Sequence, residues 1–283
     1  MNNKSSYISF FSFLIFGTNL LFGQTSYCGT HVSKSQKGLE ATYTSVQALS
    51  TQSVPQINRT ISISVFVVKE KDTKPFDEAT LPVIITSLNQ FFTPIALNFS
   101  FCSIQHIDNF QFDVLDANTN AKDLRIQYSE SNTINLYLVS SITDVSGLSV
   151  SGFTFMPGDT GKNCIFMTKS EISGSSLAHQ LGHFFNLYHT YETTYGNEIP
   201  DEITCSTTGD RCCDTNASPD LNIQGMVKNC IYIGNEKISN QFYNPSTKNM
   251  MSLVGNGCNC DFFSKTQFLR MVYALNNFRN DLR

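Results

Sequence analysis

The chain has 283 residues, 41% of them hydrophobic and 15% charged, which is enough for one large folded domain, or two smaller ones, with an apolar core. A formal net charge of −4 excludes a protein that binds nucleic acid or anionic membranes through a basic surface. The nine cysteines, six of them between residues 205 and 260, favour an oxidising compartment in which cysteines pair as disulfides.

The N-terminal segment has the features of a secretory signal peptide. Lys4 precedes an apolar run at residues 7–22, and the small Gly23 is followed by the polar Gln24. A transmembrane anchor is the alternative, but it needs about 20 apolar residues, and polar residues interrupt this shorter run. We therefore predict that residues 1–23 are cleaved and that the protein is secreted, to the extracellular space or the periplasm, with no membrane segment left.

Residues 24–58 are polar and show little periodicity, which predicts a propeptide ahead of the folded domain at 59–283. The domain is predicted to begin with a strand at Ile61, where an alternating run becomes fully apolar. A helix is predicted at 77–92, with Pro82 in its first turn. Further strands are predicted at 95–104, 133–139, 148–155 and 164–168. This order of elements predicts an α/β (α+β) fold in which helices pack on a twisted mixed sheet.

The second half of the chain is less regular. A helix is predicted at 175–186, and a long cysteine-bearing region follows it. The chain then closes with a predicted helix at 264–278, in which Ser264 and Gln267 form a capping box.

The clustered cysteines are predicted to form disulfides in this irregular region. Loop order alone suggests the following pairs: Cys205 with Cys230, and Cys213 with Cys258 or Cys260. A zinc site made of cysteines is the weaker alternative, because neither of the two closely spaced pairs has the two-residue gap of a zinc knuckle. Because the cysteine count is odd, Cys28 is expected to keep the thiol that is left over.

Three histidines lie within eleven residues of sequence. His179 and His183 are four residues apart, so on a helix their rings stand one turn apart on the same face and can bind one metal ion. His189 can join them only if the helix ends and the chain turns back, and Asn186 is suited to that turn because Asn readily adopts the left-handed conformation. Packed core histidines are the alternative. Three imidazoles with an open position favour zinc over copper or nickel.

The three-histidine segment resembles the metzincin motif H-E-x-x-H-x-x-G-x-x-H, and its flanking residues resemble the pappalysin family, peptidase family M43. The segment Asn249-Met250-Met251-Ser252 resembles the Met-turn of that family, with Met251 beneath the metal. The resemblance implies a metzincin-type fold with a backing helix, an active-site helix, an upper subdomain at 59–189 and a disulfide-bearing lower subdomain at 190–283. It further implies a peptide or protein substrate, bound between the subdomains as an added strand. We expect a monomer.

The loop after the third histidine also resembles that family, in Gly209-Asp210 followed by Asp214-Thr215. In relatives this loop helps to bind calcium. The resemblance therefore implies calcium as a second cofactor, with Asp210 and Asp214 as its ligands. The alternative is that both are solvated loop carboxylates.

Two positions depart from the family pattern. Gln180 stands where the family has the Glu that takes a proton from the attacking water and passes it to the leaving amine. Leu253 stands where the family has a Tyr that stabilises the oxyanion. Gln180 is either an engineered inactivating change or a natural loss, and Leu253 favours the natural loss. We expect a zinc metalloendopeptidase with severely impaired hydrolysis; the alternative is a catalytically silent zinc-binding pseudo-peptidase that binds peptides or partners.

The segment Tyr27-Cys28-Gly29-Thr30 resembles the cysteine switch of latent metzincins, in which a propeptide thiolate occupies the open zinc position. Cys28 is therefore expected to be a zinc ligand of the latent form, with a disulfide as the alternative. Release would need a cut between this segment and Ile61, for which the Asn58-Arg59 bond is a candidate.

Overall fold

The computed structural model describes residues 28–33, 39, 53–69, 76–159, 163–200, 203–254 and 257–282. The predicted signal peptide lies outside these residues, as do parts of the predicted propeptide. None of the helices in these ranges is long and apolar enough to cross a membrane.

Most of the regular elements precede residue 185. In chain order they are β1 (Arg59–Lys69), α1 (Leu81–Phe92), β2 (Leu97–Asp108), β3 (Val114–Asp116), α2 (Asn120–Gln127), β4 (Ile134–Val139), β5 (Ser141–Thr143), β6 (Ser149–Val150), β7 (Gly152–Thr154), β8 (Cys164–Thr168) and α3 (Gly174–Phe184). They confirm the predicted elements to within a few residues, with one exception. The strand predicted at 148–155 is two strands, β6 and β7, because they pair in different sheets.

The central sheet has five strands in the order β2-β1-β4-β8-β7. The first four are parallel to one another, and β7 pairs antiparallel with β8 at one edge. Every residue of β4 is buried, as expected for a parallel strand that is covered on both faces. The predicted mixed sheet is therefore confirmed, and its antiparallel edge strand lies beside the histidine segment.

Alternate residues of β1 belong to two separate apolar cores, one on each face of the sheet. On one face, Ile63 and Val65 pack in a cluster with α1 and α3, the predicted backing and active-site helices. On the other face, Phe66 packs in a cluster with α2 and the small sheet β3-β5-β6. The helix α2 was not predicted, because it buries only Ala121 and Leu124 and has no apolar stripe.

After α3 the chain is mostly irregular. Among its described residues, the strands and the α-helix are the hairpin of β9 (Val227–Lys228) and β10 (Ile231–Tyr232), the hairpin of β11 (Lys237–Ile238) and β12 (Gln241–Phe242), and the helix α4 (Lys265–Phe278). The predicted capping box of α4 is confirmed: the Ser264 hydroxyl accepts from the Gln267 N–H, and the Gln267 side chain accepts from the Ser264 N–H. The apolar stripe of α4 packs into the core shared by α1 and α3.

The predicted disulfide pairs are wrong. The structure contains Cys205–Cys213 and Cys230–Cys258. The first pair closes a tight local loop of sequence separation 8, whereas loop order had suggested longer connections. Cys260 has a free thiol as well as Cys28, so the expectation that Cys28 alone would be left over is also wrong. The prediction that this region carries disulfides is confirmed.

Candidate metal centre

The helix α3 carries the first two histidines. A capping box at Ser173 and Ser176 starts this helix at the loop that follows β8. His179 and His183 lie one turn apart and are both buried, and their Nε2 atoms are 3.2 Å apart.

Hydrogen bonds to backbone carbonyls orient both rings. His179 Nδ1 lies 2.7 Å from the Met250 carbonyl oxygen, and His183 Nδ1 lies 2.8 Å from that of Leu187. A carbonyl oxygen only accepts, so Nδ1 of each ring must carry the hydrogen and donate it. The lone pair of each ring is therefore on Nε2, the atom that faces the cluster. A hydrogen bond from the other ring nitrogen to a carbonyl oxygen is usual for a metal-binding histidine, because it fixes the orientation of the ring.

The chain reverses direction immediately after α3. Asn186 has φ of +70°, its N–H donates to the His183 carbonyl, and the Leu187 N–H donates to the Gly182 carbonyl. These two bonds are those of a Schellman motif, which ends a helix with one residue in the left-handed conformation. The turn returns His189 to the site, where its Nε2 lies 3.0 Å from that of His183.

The third element of the site is the segment that contains Cys28. Cys28 is buried and pairs with Gly152 of β7 as a single parallel bridge. Its sulfur and one ring nitrogen from each of the three histidines all lie within 4.8 Å of one another. Within the described ranges, these four residues are the group of His, Cys, Asp or Glu side chains that could hold a metal ion.

The electrostatics of the cluster favour the metal-binding forms of His183 and Cys28. Burial lowers the pKa of His183 to about 4. Burial also lowers the pKa of His179, but the adjacent Cys28 raises it by more, and the net pKa lies above its usual value. Burial raises the pKa of the Cys28 thiol, but the adjacent His183 and His179 lower it by more, and the net pKa lies well below its usual value. Neutral imidazole and thiolate are the forms of these side chains that bind metals.

A tight turn at Met250–Ser252 lies beneath the histidines. Met251 is fully buried, and its sulfur lies so close to Gly182 that a Cβ at that position would be 2.5 Å from it. Leu253 follows in the left-handed conformation, with φ of +48°. It lines the cleft beside His179 and Gln180 and offers no side-chain hydrogen-bond donor.

Gln180 is buried against the Cys28 segment. Its Nε2 donates to Cys28 Sγ at 3.3 Å, and its Oε1 accepts from the Thr30 hydroxyl at 3.2 Å. Sequence reasoning missed the contribution of Thr30. A prediction that residues 28–30 are extended would have indicated it. In an extended segment, side chains two residues apart point to the same side, so Thr30 faces the site together with Cys28.

Asp210 and Asp214 lie apart from the histidine cluster and have protein partners. Asp210 is buried, accepts from the Cys212 N–H at 2.9 Å and from the Thr215 hydroxyl, and burial raises its pKa to about 7. Asp214 accepts from the Ser264 hydroxyl and the Thr266 N–H, at the start of α4. Their role in calcium binding stays a prediction.

Sequence reasoning also missed Arg270. This buried side chain on α4 donates from Nη2 to the Asn186 carbonyl oxygen at 3.2 Å, and its guanidinium lies 5.1 Å from the centre of the Tyr188 ring. It therefore holds the turn between the second and third histidines. In the sequence it is one more charged residue within an amphipathic helix, and nothing there indicates this contact.

Comparison with solved structures finds similar chains, and three of them, all of low identity, are described here. One is from the structure of a chaperone-substrate complex, with 11% identity and a TM-score of 0.40, over 79% of this chain and 36% of that one. The second is metalloproteinase-II from Bacteroides fragilis, with 14% identity and a TM-score of 0.33, over 48% of this chain and 44% of that one. The third is archaemetzincin from Methanopyrus kandleri, with 13% identity and a TM-score of 0.40, over 79% of this chain and 99% of that one.

This chain thus spans less than half the length of the first two chains. The curated proteins contain no match to it. The family model Peptidase_M43, described as pregnancy-associated plasma protein-A, matches residues 125–276. The match includes all three histidines, the Met250–Ser252 turn and most of α4, and it covers more than half of the sequence. The chain therefore belongs to the Peptidase_M43 (pappalysin) family of metallopeptidases.

Proposed function

We propose that this chain is a secreted zinc metalloendopeptidase of pappalysin type, acting on peptides or proteins as a monomer, whose hydrolysis is severely impaired. The observation that carries this proposal is the convergence of three imidazoles, from His179, His183 and His189, on one point. A tetrahedral zinc site with Zn–N bonds of about 2.0–2.1 Å has ligand-to-ligand edges of roughly 3.3 Å. The Nε2 separations of 3.2 and 3.0 Å fit that size.

When bound, zinc would polarise the scissile carbonyl and activate a water molecule for attack. The chain's own residues limit the rest of the reaction. The Gln180 amide can hold a water by hydrogen bond, but it cannot take its proton and pass it to the leaving amine, and general acid–base catalysis contributes about 10² to 10⁴ in rate. Leu253 offers no hydrogen bond to a developing oxyanion, which is a further loss of about 10².

The edge strand β7 supports the binding of an extended peptide. The outer side of β7 carries the Cys28 segment, whose Gly29 N–H donates to the Gly152 carbonyl oxygen at 2.9 Å. A substrate that replaced this segment would gain the same kind of backbone hydrogen bond by strand addition.

Cys28 supports a latent form in which its thiolate is the fourth ligand. Its sulfur is among the four ligand atoms of the cluster, and the segment covers the cleft at the point where a scissile bond would lie. In this proposal residues 24–58 are the propeptide, and a cut between Cys28 and Ile61 releases the site. The two disulfides and the predicted signal peptide at 1–23 support secretion, because structural disulfides form in oxidising compartments.

The second candidate is a catalytically silent zinc-binding protein that captures peptides or partners. The contacts of Gln180 favour it, because this side chain bonds to the covering segment through both its amide nitrogen and its amide oxygen. A site that had kept its metal but lost its base would present such an arrangement.

Metal analysis and proteolysis of the secreted chain test both candidates. We expect stoichiometric zinc in the wild type and little in His189→Ala, which removes one ligand. Against a denatured protein substrate, we compare Cys28→Ala, which removes the thiolate from the fourth ligand position, with Cys28→Ala/Gln180→Glu, each after a cut between residues 28 and 61 has released the covering segment. Cleavage by the double variant alone supports a peptidase disabled at its base. If both variants hold zinc and neither cleaves, the silent zinc-binding protein replaces the impaired peptidase as the proposed function. A wild type that holds no zinc would overturn both candidate functions.

A further inference from the structure

The four residues 28–31 each make a separate contact with the folded domain. Cys28 reaches the histidine cluster. Gly29 fits a space without room for a side chain, since a Cβ there would lie 2.9 Å from a Val150 methyl group and 3.0 Å from Asp144 Cβ. The half-exposed His31 ring lies 3.0 Å from the Asp144 carboxylate. Such position-by-position contacts are typical of a recognised peptide rather than of a loosely packed arm.

Thr30 completes this set through a chain of buried hydrogen bonds. The Thr154 N–H of β7 donates to the Thr30 hydroxyl oxygen at 3.0 Å. The hydroxyl hydrogen is then available for the Gln180 Oε1, which lies 3.2 Å away. Valine at position 30 would have the shape of threonine but would leave both of these buried groups without their partner.

The orientation of the Gln180 amide follows from its two neighbours. A thiolate that binds a metal only accepts hydrogen bonds, so the amide NH₂ must face Cys28 Sγ, at 3.3 Å. The amide oxygen then faces the Thr30 hydroxyl, which donates to it. A carboxylate at position 180 could still accept from Thr30, but its second oxygen would face the sulfur with no hydrogen to donate and with a like charge.

We propose that the cleft is built to bind the peptide sequence Cys-Gly-Thr-His, and that the amide of Gln180 is the residue that selects and retains it. This inference rests on the proposed function, since it gives a purpose to the loss of the general base. Gln180 replaces proton transfer by a paired contact with Cys28 and Thr30. The bound ligand class is an extended peptide with a thiol, a glycine and then a hydroxyl side chain, and the chain carries one such peptide at residues 28–30.

Alkylation of Cys28 in the intact secreted chain measures how firmly the segment is held. The zinc-loaded protein is treated with iodoacetamide, and the modified Cys28 peptide is quantified over time by mass spectrometry. We expect Gln180→Glu and Thr30→Val to speed alkylation by about tenfold or more, because each breaks a buried hydrogen bond. Thr30→Ser keeps the hydroxyl and should restore slow alkylation.

Two controls isolate the effect. Gln111→Glu repeats the chemical change of Gln180→Glu at an exposed position, and Thr86→Val repeats that of Thr30→Val on the exposed side of α1. Both controls should leave the rate of Cys28 alkylation unchanged. The buried Cys164 reports unfolding in every sample. A variant in which Cys28 and Cys164 both react fast is partly unfolded, and its alkylation is therefore measured again, beside wild type, below the melting temperature of the variant.

Zinc content, measured on the same samples, separates this inference from the proposed function. If Gln180→Glu and Thr30→Val bind zinc and Cys28 reacts at the wild-type rate, the recognition role of Gln180 is overturned while the zinc site stands. If the samples hold no zinc and the two variants still react faster, peptide recognition stands and the zinc proposal fails.

Discussion

Gly182 on α3 lies directly above Met251 of the tight turn, and a Cβ at position 182 would lie 2.5 Å from the Met251 sulfur. This contact joins the active-site helix to the C-terminal part of the chain. It also lies one residue from His183 in sequence and one residue from Met250, whose carbonyl orients His179. The packing of the two residues therefore sets the position of two histidine rings.

Gly182→Ala is expected to destabilise the protein by about 1–3 kcal/mol through overpacking, despite the better helix propensity of alanine. Urea unfolding of the wild type, Gly182→Ala, Met251→Ala and the double variant measures the coupling between the two positions. The cost of Gly182→Ala should shrink when Met251→Ala has already opened the space. Equal costs in the two backgrounds would show that the contact does not constrain the helix.

Asn186 gives a prediction about the turn that returns His189. Asn186→Ala places a side chain that disfavours φ of +70° at this position, at a cost of about 1 kcal/mol or more. Asn186→Gly should be tolerated, because the Asn186 side chain makes no hydrogen bond to the described residues and glycine adopts this conformation freely. Competition with a chelator should show zinc binding about tenfold weaker for the alanine variant and near normal for glycine. Equal affinities for the two variants would contradict this role.

Asp210 is expected to make stability fall as the pH rises. Its pKa in the folded protein is raised to about 7 from 3.8, so between these values the folded state holds a proton that the unfolded state has released. Stability should therefore decrease from about pH 4 to pH 7 and level off above, by a few kcal/mol, since one pKa unit corresponds to about 1.4 kcal/mol.

Unfolding by urea across this pH range, in calcium-free buffer, measures the effect, and the isosteric Asp210→Asn should flatten it. A wild type with the same slope as Asp210→Asn would contradict the raised pKa. Adding calcium tests the other predicted role of this residue. A gain in stability that Asp210→Asn loses would support calcium binding, whereas an equal response of both proteins would not.

The disulfide pairs can be checked directly. Digestion without reduction, followed by mass spectrometry, should yield linked peptides containing Cys205–Cys213 and Cys230–Cys258. Removing the second pair should cost more stability than removing the first, because it closes a separation of 28 residues rather than 8. Loop entropy predicts about 3.6 and 2.6 kcal/mol respectively. Paired substitutions to serine in each disulfide measure the two costs, and the reverse order would contradict this account.

Local patterns in the sequence were sufficient to predict several features. The capping box at Ser264 and Gln267, the strand that begins near Ile61 and the helix around His179 depend on neighbours within a few residues. Such features result from short-range interactions, in which a side chain bonds to the backbone three residues away or apolar residues repeat with the period of a helix or strand.

The tertiary structure alone decided the contacts between distant segments. Loop order could not show that Cys205 pairs with Cys213, and nothing near Gln180 in the sequence indicates that it contacts Thr30, 150 residues earlier. Arg270 and Asn186 likewise meet only because α4 packs against α3. Local interactions specify the helices and strands. Which side chains meet depends on how these elements pack to form the two apolar cores on either face of the central sheet. Burial of these cores constrains all the segments at once.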